Sequence, residues 1–580
     1  MGAAAALAAW AAVTWLTGGF ILHVGAVSIS SRDPVRPLIL ALVLYALAWR
    51  SLPRHELIRH ARMLGADRKA DARIALAASI CVLIVAVAWN TRASGGSDSS
   101  CYLLQADAFA RGDLFLRDPL ASSAPFPNAA AMFAPTGWAP SPTEPLAAVP
   151  ICAPGLALAM AAATIVAGRD AAILIVPLLA AAAVWTAFLL GRRLDSPASG
   201  AAAAVLTACS PIFLYQAVQP MSDVPATTLW LATLVACLRR TPAGDAIAGA
   251  CAALAVLTRP NLALIIVPLV MLMLSHAGTS WKQRAARIVR FGAAAAPLLL
   301  LLAWINQRRY GFALASGYGD TRLLFDVTHL WPNLLRYPRW LIATETPFIL
   351  LAIAAPWWAW RRTRDTVNAT LAILLSAGLL LATYLAYVVF DDWWYIRFLL
   401  PAIPALLVLS VAVTADGLRL AMPRWRRLAL AGSCGALAGW YLHVAQTHDV
   451  FALQSLESRF VVAGQYAARA LPSRAVVLSV QQSGSVRYHG HRSTLAWDAV
   501  QPTALDATIA WLTSEGRPAY VAVEENEESR FRQRFVGQRY GALDWPPKAE
   551  IHTAVRVRIY DVADRDRYQR GERLSIEHIR

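Results

Sequence analysis

The chain has 580 residues, of which 57% are hydrophobic and only 15% are charged, and its formal net charge at pH 7 is +17. This composition excludes an ordinary soluble protein, whose apolar fraction lies closer to half, and indicates a polytopic membrane protein. We predict no nucleic-acid partner, because the arginines are concentrated in short loops between apolar runs, as the positive-inside rule expects of cytoplasmic loops.

Three apolar runs come first, at about 4–27, 36–49 and 73–91. The segment RSLPRHELIRHARMLGADRKADAR between the second and third runs is rich in Arg and Lys, which predicts a cytoplasmic loop. The N-terminus is then also cytoplasmic, and the third helix emerges on the outer face near Thr91. The first run lacks a basic region before it, so we expect it to remain as an anchor rather than to be cleaved as a signal peptide.

An outer loop, residues 92–149, follows and opens with GGSDSSCYLLQADAFARGDL. Apolar residues recur at helical spacing from Tyr102 to Ala110, and Gly112 is suited to end the helix. This amphipathic helix is predicted to lie along the bilayer surface with Asp98 at its start, facing outward.

From residue 150 to about 445, apolar runs alternate with basic loops. Only two crossings fit between the outer loop 92–149 and a second outer loop, QPMSDVP, so we interpret residues 150–168 as a surface or re-entrant helix. The total is about thirteen crossings, with the N-terminus inside and the C-terminus outside.

The remainder of the chain, 446–580, has the composition of a soluble domain. The segments AVVLSV, YVAVEE and TAVRVRIYDV are predicted strands, and residues of about 504–514 and 525–536 are predicted helices. Their alternation indicates a small α/β layer. The chain is therefore divided into a transmembrane domain, 1–445, and an outward-facing α/β domain, 446–580.

The seven cysteines lie mostly in apolar runs, and none follows Cys434, which argues against a disulfide framework. Cys101 and Cys152 are the pair that could meet on the outer face. We expect them to be two unrelated free cysteines.

Carboxylates, arginines and tyrosines recur on the predicted outer face. They are Asp98, Tyr102, Asp223 in SDVP, Arg308, Arg309 and Tyr318 in NQRRYGFALASGYGD, and Tyr395 and Arg397 in DDWWYIRFLLP. The positive-inside rule disfavours arginines on the outer face, so their presence there indicates a specific role. Phosphate binding is such a role, since a guanidinium keeps its charge and offers several hydrogen-bond donors in a fixed fork.

Together these residues predict chemistry on a lipid phosphate. A carboxylate can take the proton of an acceptor hydroxyl, and arginines can stabilise the charge on a departing phosphate. This indicates glycosyl transfer from a polyprenyl-phosphate sugar, and a single displacement without an enzyme nucleophile inverts the anomeric carbon. Arg308, Arg309 and Arg397 are the candidate phosphate ligands.

Each residue also has a structural interpretation. Asp98 and Asp223 are suitable helix N-caps, and Tyr395 suits an interfacial aromatic belt. We interpret Arg259 in LTRPN as an arginine that snorkels to the membrane surface. We interpret HGH, 489–491, as an exposed turn rather than a metal-binding pair.

The segments SDSSCYLLQADAFARGDL, SDVP, LTRPN, RYG, SGYG and WWYIRFLLPAIP resemble recurring segments of the GT-C integral-membrane glycosyltransferases. This superfamily includes the protein O-mannosyltransferases and the lipid A aminoarabinose transferases. In those proteins an acidic residue in the first large outer loop precedes a tyrosine-containing amphipathic helix. The tail VVLSVQQSGSVRYHGHRSTLAWD resembles a periplasmic domain that some members carry.

The resemblance implies a polytopic α-helical GT-C fold, Asp98 as the general base and a functional role for Asp223. We predict in addition that Asp223, Tyr318, Tyr395 and Tyr102 position the donor or the acceptor. Many members have a second acidic residue directly after the first, and here that position is Ser99. We therefore predict a lone base with no metal ligands and no certain cofactor, with a divalent cation left open as an alternative.

The resulting hypothesis is a bacterial inner-membrane enzyme that moves a sugar from a polyprenyl-phosphate donor to an envelope glycolipid, glycan or protein. A transporter or flippase for lipid-linked saccharides is one alternative, although charges along a pore and paired broken helices are not evident. A non-catalytic assembly subunit is another, and a ligase of whole glycans is a closer one. Motifs for nucleotide-driven transport, dinucleotide binding, zinc peptidases and serine hydrolases are absent.

Overall fold

The computed structural model of the protein describes residues 68–275 and 279–579, together with 20–24, 27–31 and single positions before residue 68. The first two predicted apolar runs, about 4–27 and 36–49, therefore fall mostly outside the described residues. At the end of the first run, strand β1 (Phe20–Val24) pairs antiparallel with β2 (Val27–Ser31).

Helices dominate residues 68–447. Their bounds are Arg68–Ala88, Asp98–Ala110, Ala129–Met132, Pro154–Ala167, Ile175–Leu194, Pro197–Cys209, Pro211–Ala217, Asp223–Cys237, Pro242–Thr258, Ile266–Leu274, Trp281–Tyr310, Leu330–Glu345, Ala355–Trp360, Arg364–Leu385, Ile403–Ala421 and Arg426–Thr447. Short 3₁₀ segments join several of these helices. After residue 300, the longest of these segments are Pro347–Ala354 and Trp393–Leu399.

Six of the described helices are long and apolar enough to cross a membrane, and two bent helix pairs raise the number to as many as eight. Four further apolar helices have only 10–17 residues: Pro154–Ala167, Asp223–Cys237, Pro242–Thr258 and Pro260–Leu274. A helix perpendicular to the membrane needs about 20 residues to cross it. The predicted total of about thirteen crossings is therefore not confirmed, because hydropathy marks apolar runs without giving the length of the helix that each one forms.

Small residues permit a close helix contact in the bundle. A Cβ atom on Gly191 would lie 2.8 Å from the Cα atom of Gly200, and one on Gly200 would lie 2.5 Å from the carbonyl oxygen of Phe188. The helices Ile175–Leu194 and Pro197–Cys209 can approach this closely only because both positions lack a side chain.

Four of the basic loops after residue 150, which were predicted to share the cytoplasmic face, are in contact with one another, whereas the loop between the second and third apolar runs lies mostly outside the described residues. Arg362 Nη2 lies 2.9 Å from Asp195 Oδ1, and Arg419 Nη2 lies 3.6 Å from the same oxygen. Arg193 Nε donates to the carbonyl oxygen of Leu238 at 2.9 Å. These loops therefore lie at one end of the bundle, as their charge pattern predicted.

The other end of the bundle carries two sheets. The smaller one has the antiparallel order β3-β5-β4, with β3 at Leu116–Arg117, β4 at Trp138–Pro140 and β5 at Ala147–Pro150. The larger one has the mixed order β11-β9-β10-β8-β6-β7. Its strands are β6 (Val476–Leu478), β7 (Ser493–Leu495), β8 (Ala519–Glu524), β9 (Ala549–Ile551), β10 (Val557–Asp561) and β11 (Glu577–Ile579).

Helices Leu453–Leu456, Ser458–Ala470, Ser483–Tyr488, Leu505–Ser514, Glu525–Arg534 and Asp564–Gln569 accompany the larger sheet. The three predicted strands coincide with β6, β8 and β10, and the two predicted helices coincide with Leu505–Ser514 and Glu525–Arg534. Residues 453–579 thus form an α/β layer.

The outer loop contributes to the core of this α/β layer. Leu120, Met132 and Phe133 belong to one buried apolar cluster with side chains from the larger sheet and its helices. Asp118 Oδ2 also pairs with Arg487 Nη2 at 2.9 Å. We call the two parts together the outer unit, residues 98–150 and 453–579, because they share a hydrophobic core.

Cys101 and Cys152 form a disulfide bond, so the expectation that they are unrelated free cysteines was wrong. The bond joins the first turn of the helix Asp98–Ala110 to the chain just before the helix Pro154–Ala167. The two positions are 51 residues apart, and only the return of the loop along β5 brings them together. The other five cysteines are free.

Candidate active site

Asp98 is the first residue of the amphipathic helix Asp98–Ala110, where the bundle meets the outer unit. Its Oδ2 atom accepts a hydrogen bond from Arg397 Nη2 at 2.8 Å. The preceding residue, Ser97, makes no side-chain capping bond to the helix. The described contact of Asp98 is therefore with a distant arginine, 299 positions along the chain.

Arg397 lies in the 3₁₀ segment Trp393–Leu399, which directly follows Asp391 and Asp392. Its Nη1 atom is 4.0 Å from Asp223 Oδ2. Asp223 in turn begins the helix Asp223–Cys237, and its Oδ1 atom is 2.9 Å from Arg259 Nη1. Asp98, Arg397, Asp223 and Arg259 thus form a continuous series of alternating charges, which we call the Asp–Arg cluster.

Burial differs along the Asp–Arg cluster. The side chain of Asp98 is 30% exposed, whereas the exposed fractions are 11% for Arg397, 12% for Arg259 and 1% for Asp223. Buried charges are tolerated when they are paired, and the two acidic and two basic groups compensate each other here. Asp98 is therefore the charged group of the cluster that a substrate can reach most readily.

Arg259 is the member of the cluster that the sequence analysis assigned to membrane snorkelling. It ends the helix Pro242–Thr258 in an extended conformation, directly before Pro260. Its guanidinium pairs with buried Asp223 and lies 5.6 Å from the centre of the Phe398 ring. A sign of this pairing role was present in the sequence, since LTRPN places a lone arginine at the predicted outer end of an apolar helix.

Tyr102 links the two acidic motifs. Its hydroxyl donates to Ser222 Oγ at 2.8 Å, and Ser222 directly precedes Asp223. Burial, and secondly the negative charge of Asp98, raise the pKa of Tyr102 well above its usual range, so the phenol stays protonated as a donor. Next to it, Ser99 Oγ lies 3.5 Å from Met221 Sδ.

Tyr318 and Tyr395 also face the Asp–Arg cluster. Tyr318, in the loop after Trp281–Tyr310, is exposed and lies within electrostatic reach of Asp98. The ring of Tyr395 lies 5.4 Å from the Arg397 guanidinium and stacks on Phe390 at 3.7 Å. The structure therefore brings together six of the eight predicted site residues: Asp98, Tyr102, Asp223, Tyr318, Tyr395 and Arg397.

The remaining two, Arg308 and Arg309, lie elsewhere at the end of the helix Trp281–Tyr310. Arg309 is buried, donates through Nε to the carbonyl oxygen of Leu114 at 2.8 Å, and lies 4.8 Å from the Phe109 ring. Both of its Nη atoms are buried without a hydrogen-bond partner. Arg308 is exposed, and its backbone carbonyl accepts from Thr143 Oγ1 at 2.7 Å.

A cavity of about 500 Å³ opens beside the amphipathic helix, against the C-terminal part of the outer unit. We call it the outer groove, and its charged lining consists of five arginines, two aspartates and one histidine: Arg111, Arg117, Arg169, Arg487, Arg492, Asp107, Asp118 and His491. Arg169 Nε donates to Asp107 Oδ1 at 3.1 Å, and its guanidinium lies over the Tyr488 ring at 3.8 Å. Asp107 follows Asp98 by nine residues, about 13 Å along the helix axis.

The HGH motif forms a turn after the helix Ser483–Tyr488, in which His489 is partly buried and His491 is exposed. His489 packs against Gly464 and Tyr488, and burial together with nearby Arg169 lowers its pKa to about 4. His491 lines the outer groove, with Nε2 3.4 Å from Arg169 Nη1. Only His491 of the two therefore contacts Arg169 and the groove.

Comparisons with known proteins agree with this architecture. Residues 151–305 match the family model of the dolichyl-phosphate-mannose-protein mannosyltransferases, and no curated protein matches the chain. The apo oligosaccharyltransferase of Archaeoglobus fulgidus is similar at a TM-score of 0.53 and 12% identity, over 80% of this chain and 71% of that one.

ArnT from Cupriavidus metallidurans, in a crystal structure with undecaprenyl phosphate, is similar at a TM-score of 0.54 and 13% identity, over 84% of this chain and 96% of that one. The chain has the GT-C fold. The GT-C-like fold expected from the sequence is thereby confirmed. The matched family segment contains Asp223 and Arg259, whereas Asp98 and Arg397 lie outside it. Within the GT-C fold, the Asp–Arg cluster lies where the membrane bundle meets the outer unit.

Proposed function

We propose that this GT-C protein is an inverting glycosyltransferase that moves a sugar from a polyprenyl-phosphate donor to an envelope glycolipid, glycan or protein. The observation that carries the proposal is the contact of accessible Asp98 with buried Arg397, 2.8 Å apart at the rim of the bundle. A general base and a phosphate ligand are thus adjacent. ArnT has been solved with undecaprenyl phosphate bound. AglB from Archaeoglobus fulgidus has been solved with a dolichol phosphate and an inhibitory peptide. It is similar to this chain at a TM-score of 0.52 and 13% identity, over 81% of this chain and 71% of that one.

In the proposed reaction, Asp98 takes the proton of the acceptor hydroxyl as the oxygen forms a bond to the anomeric carbon. The bond from that carbon to the phosphate oxygen breaks, and the polyprenyl phosphate leaves with the electron pair. Arg397 stabilises the resulting charge. Arg259 and Asp223 hold Arg397 in place, and Tyr102, Tyr318 and Tyr395 position the substrates. No step needs a metal ion.

The outer groove is the proposed acceptor site. Its five arginines outnumber its two aspartates, and Arg492 donates only to backbone carbonyl oxygens, among them Leu471 at 2.7 Å. Such a groove favours a saccharide that carries phosphate or carboxylate groups. The helix that bears Asp98 forms one of its walls, so an acceptor held there is directed toward the base.

We place the outer unit in the periplasm of a bacterium and the basic loops in the cytoplasm. The Cys101–Cys152 disulfide supports this orientation, because disulfides persist in oxidising compartments. The contacts among the basic loops at the opposite end support it as well. The described C-terminal residues then lie on the periplasmic side, and the N-terminus lies outside the described residues.

Two other functions compete with this proposal. A flippase for lipid-linked saccharides would move its substrate without consuming it, and a non-catalytic assembly subunit would need Asp98 only for structure. Both predict that the donor keeps its sugar in the presence of the protein and an acceptor.

The test is mass spectrometry of the envelope glycolipids, glycans and polyprenyl-phosphate sugars in a deletion strain. The strain is complemented with wild type, Asp98→Asn or Asp98→Glu at matched membrane abundance. We expect wild type to restore one missing sugar, and both variants to leave it missing while the lipid-linked donor accumulates.

Asp544→Asn is the matched control. Asp544 is also in the outer unit and pairs with an arginine, Arg565, at 2.9 Å, but it lies outside the Asp–Arg cluster and the outer groove. It should restore the sugar fully. Full restoration by Asp98→Asn would contradict the proposed base and favour the assembly subunit.

A further inference from the structure

A separate cluster of ligand-type side chains lies at the edge of the larger sheet. Strand β11, near the end of the chain, pairs in parallel with β9, and this pairing sets His578 opposite Glu550. His552 follows β9 directly, and its backbone N–H donates to the carbonyl oxygen of Ile579 at 2.8 Å. Three residues from two strands are thus brought to one point, and nothing in the proposed glycosyl transfer uses them.

The distances among the three donor atoms match a metal-binding geometry. His552 Nε2 lies 3.0 Å from His578 Nδ1, and Glu550 Oε2 lies 3.4 Å from the first nitrogen and 3.6 Å from the second. In a tetrahedral zinc site with bonds of about 2.0–2.1 Å, neighbouring donor atoms are about 3.3–3.4 Å apart. The three atoms therefore form one face of a tetrahedron of nearly the right size.

The surroundings of Glu550 orient its carboxylate for this role. Oε1 accepts from Arg558 Nε at 3.0 Å and from Arg556 Nη1 at 3.4 Å, so Oε2 is directed at the two histidines. Arg558 also donates to Glu528 Oε2 at 2.6 Å, which partly balances its charge. Hydrogen bonds of this kind to a ligand's second oxygen fix the ligand and tune metal affinity.

We propose that Glu550, His552 and His578 bind one Zn²⁺ ion, with water at the fourth position. Both histidines are exposed, so the ion is reached from solvent. The site joins the end of β9 to β11, a strand at the edge of the sheet that pairs with β9 over three residues. Zinc therefore fastens the C-terminal strand to the sheet, and this role is independent of the proposed transferase reaction.

The test uses the full-length protein in detergent, purified without a polyhistidine tag, stripped with EDTA and dialysed. Zinc is added alone and measured by elemental mass spectrometry and by competition with a chromophoric chelator. We expect one zinc ion per wild-type chain and at least a tenfold weaker affinity in His552→Ala/His578→Ala and in Glu550→Gln. His443→Ala, which removes an exposed histidine elsewhere, should bind as wild type does.

Hydrogen exchange gives a second measurement that a fortuitous surface site would not change. Zinc should slow exchange in residues 577–579 of wild type at least threefold, and it should have no effect there in the double variant. Exchange in β8 and β10 reports whether the variants fold. If wild type binds no zinc at micromolar concentrations, or if the folded double variant binds it equally well, the proposal is wrong.

Discussion

At the residue scale, the central feature is that two carboxylates, Asp98 and Asp223, share the guanidinium of Arg397. It donates to Asp98 at 2.8 Å and reaches Asp223 at 4.0 Å, whereas its Nε atom is buried without a partner. A donor phosphate that binds Arg397 competes with Asp98 for the same guanidinium. Under the proposed mechanism, donor binding releases the base for the acceptor, which predicts that the donor binds first.

Replacing Arg397 by glutamine should lower kcat/KM about 10²–10³-fold, because a charged donor to the departing phosphate is removed. The measurement is steady-state sugar transfer by purified protein with a polyprenyl-phosphate donor. Arg570→Gln, which removes an exposed arginine paired with Glu572, is the control and should leave the rate unchanged. A rate for Arg397→Gln within threefold of wild type would refute the assignment.

Arg259→Leu should destabilise the protein by about 3–5 kcal/mol, because it leaves the charge of Asp223 buried with only the distant Arg397. The double variant Asp223→Asn/Arg259→Leu should recover part of this loss, since the buried charge is removed. Thermal unfolding in detergent measures both. If Arg259→Leu unfolds at the wild-type temperature, Arg259 is a snorkelling arginine and not a structural partner of Asp223.

At the scale of elements, the disulfide fixes the amphipathic helix that carries Asp98. Cys101 is three residues after Asp98, and Cys152 is two residues before the helix Pro154–Ala167. Around the same turn, a Cβ atom on Gly137 would lie 2.1 Å from the carbonyl oxygen of Ser97. The start of the helix is therefore held by a covalent bond on one side and by close backbone packing on the other.

The paired substitution Cys101→Ser/Cys152→Ser should lower stability by about 4 kcal/mol, the chain-entropy value for a loop of this length. Reductant should destabilise wild type and leave the variant unchanged, which serves as the internal control. Free thiols are counted by alkylation followed by intact-protein mass spectrometry. Wild type should show two more alkylated thiols after reduction than before it. Equal alkylation before and after reduction would show that the bond does not form.

How much could be predicted from the sequence depends on the range of the interaction. Local patterns located the amphipathic helix and the strands β6, β8 and β10. They also indicated that the basic loops lie together at one end of the bundle. They could not show that Asp98 meets Arg397, because that contact depends on the 3₁₀ segment Trp393–Leu399 and on packing between distant helices. Nor could they show the bend after Glu345, where Thr346 adopts a φ of 57° between two helical segments inclined by 105°.

At the scale of the whole molecule, we expect the contact between the C-terminal part of the outer unit and the membrane bundle to be sensitive to pH. His489 is held neutral near Arg169, which begins the 3₁₀ segment Arg169–Leu174 that leads into the membrane helix Ile175–Leu194. The pKa of His489 is about 4 in the folded protein, below the value of about 6.5 in an unfolded chain. The unfolded state therefore binds more protons between these two values.

The contribution of neutral His489 to the free energy of unfolding should be present in full above about pH 6.5. It should fall as the pH is lowered from about 6.5 toward 4. His489→Gln cannot be protonated, so its stability should depend less on pH in this window. Unfolding temperatures of both proteins at pH 7.5, 6 and 5 measure the difference. Parallel pH profiles would show that His489 does not contribute.

The shared core of the outer unit has a consequence for how the protein is made. Leu120, Met132 and Phe133 emerge from the ribosome early, whereas their partners Trp497 and Phe531 follow almost four hundred residues later. At synthesis rates of about 5–20 residues per second, the loop waits roughly 20–80 s with these side chains unburied. During that interval it depends on a chaperone of the outer compartment or on the membrane surface, and a ribosome that stalls before residue 497 leaves an aggregation-prone loop beside an otherwise inserted bundle.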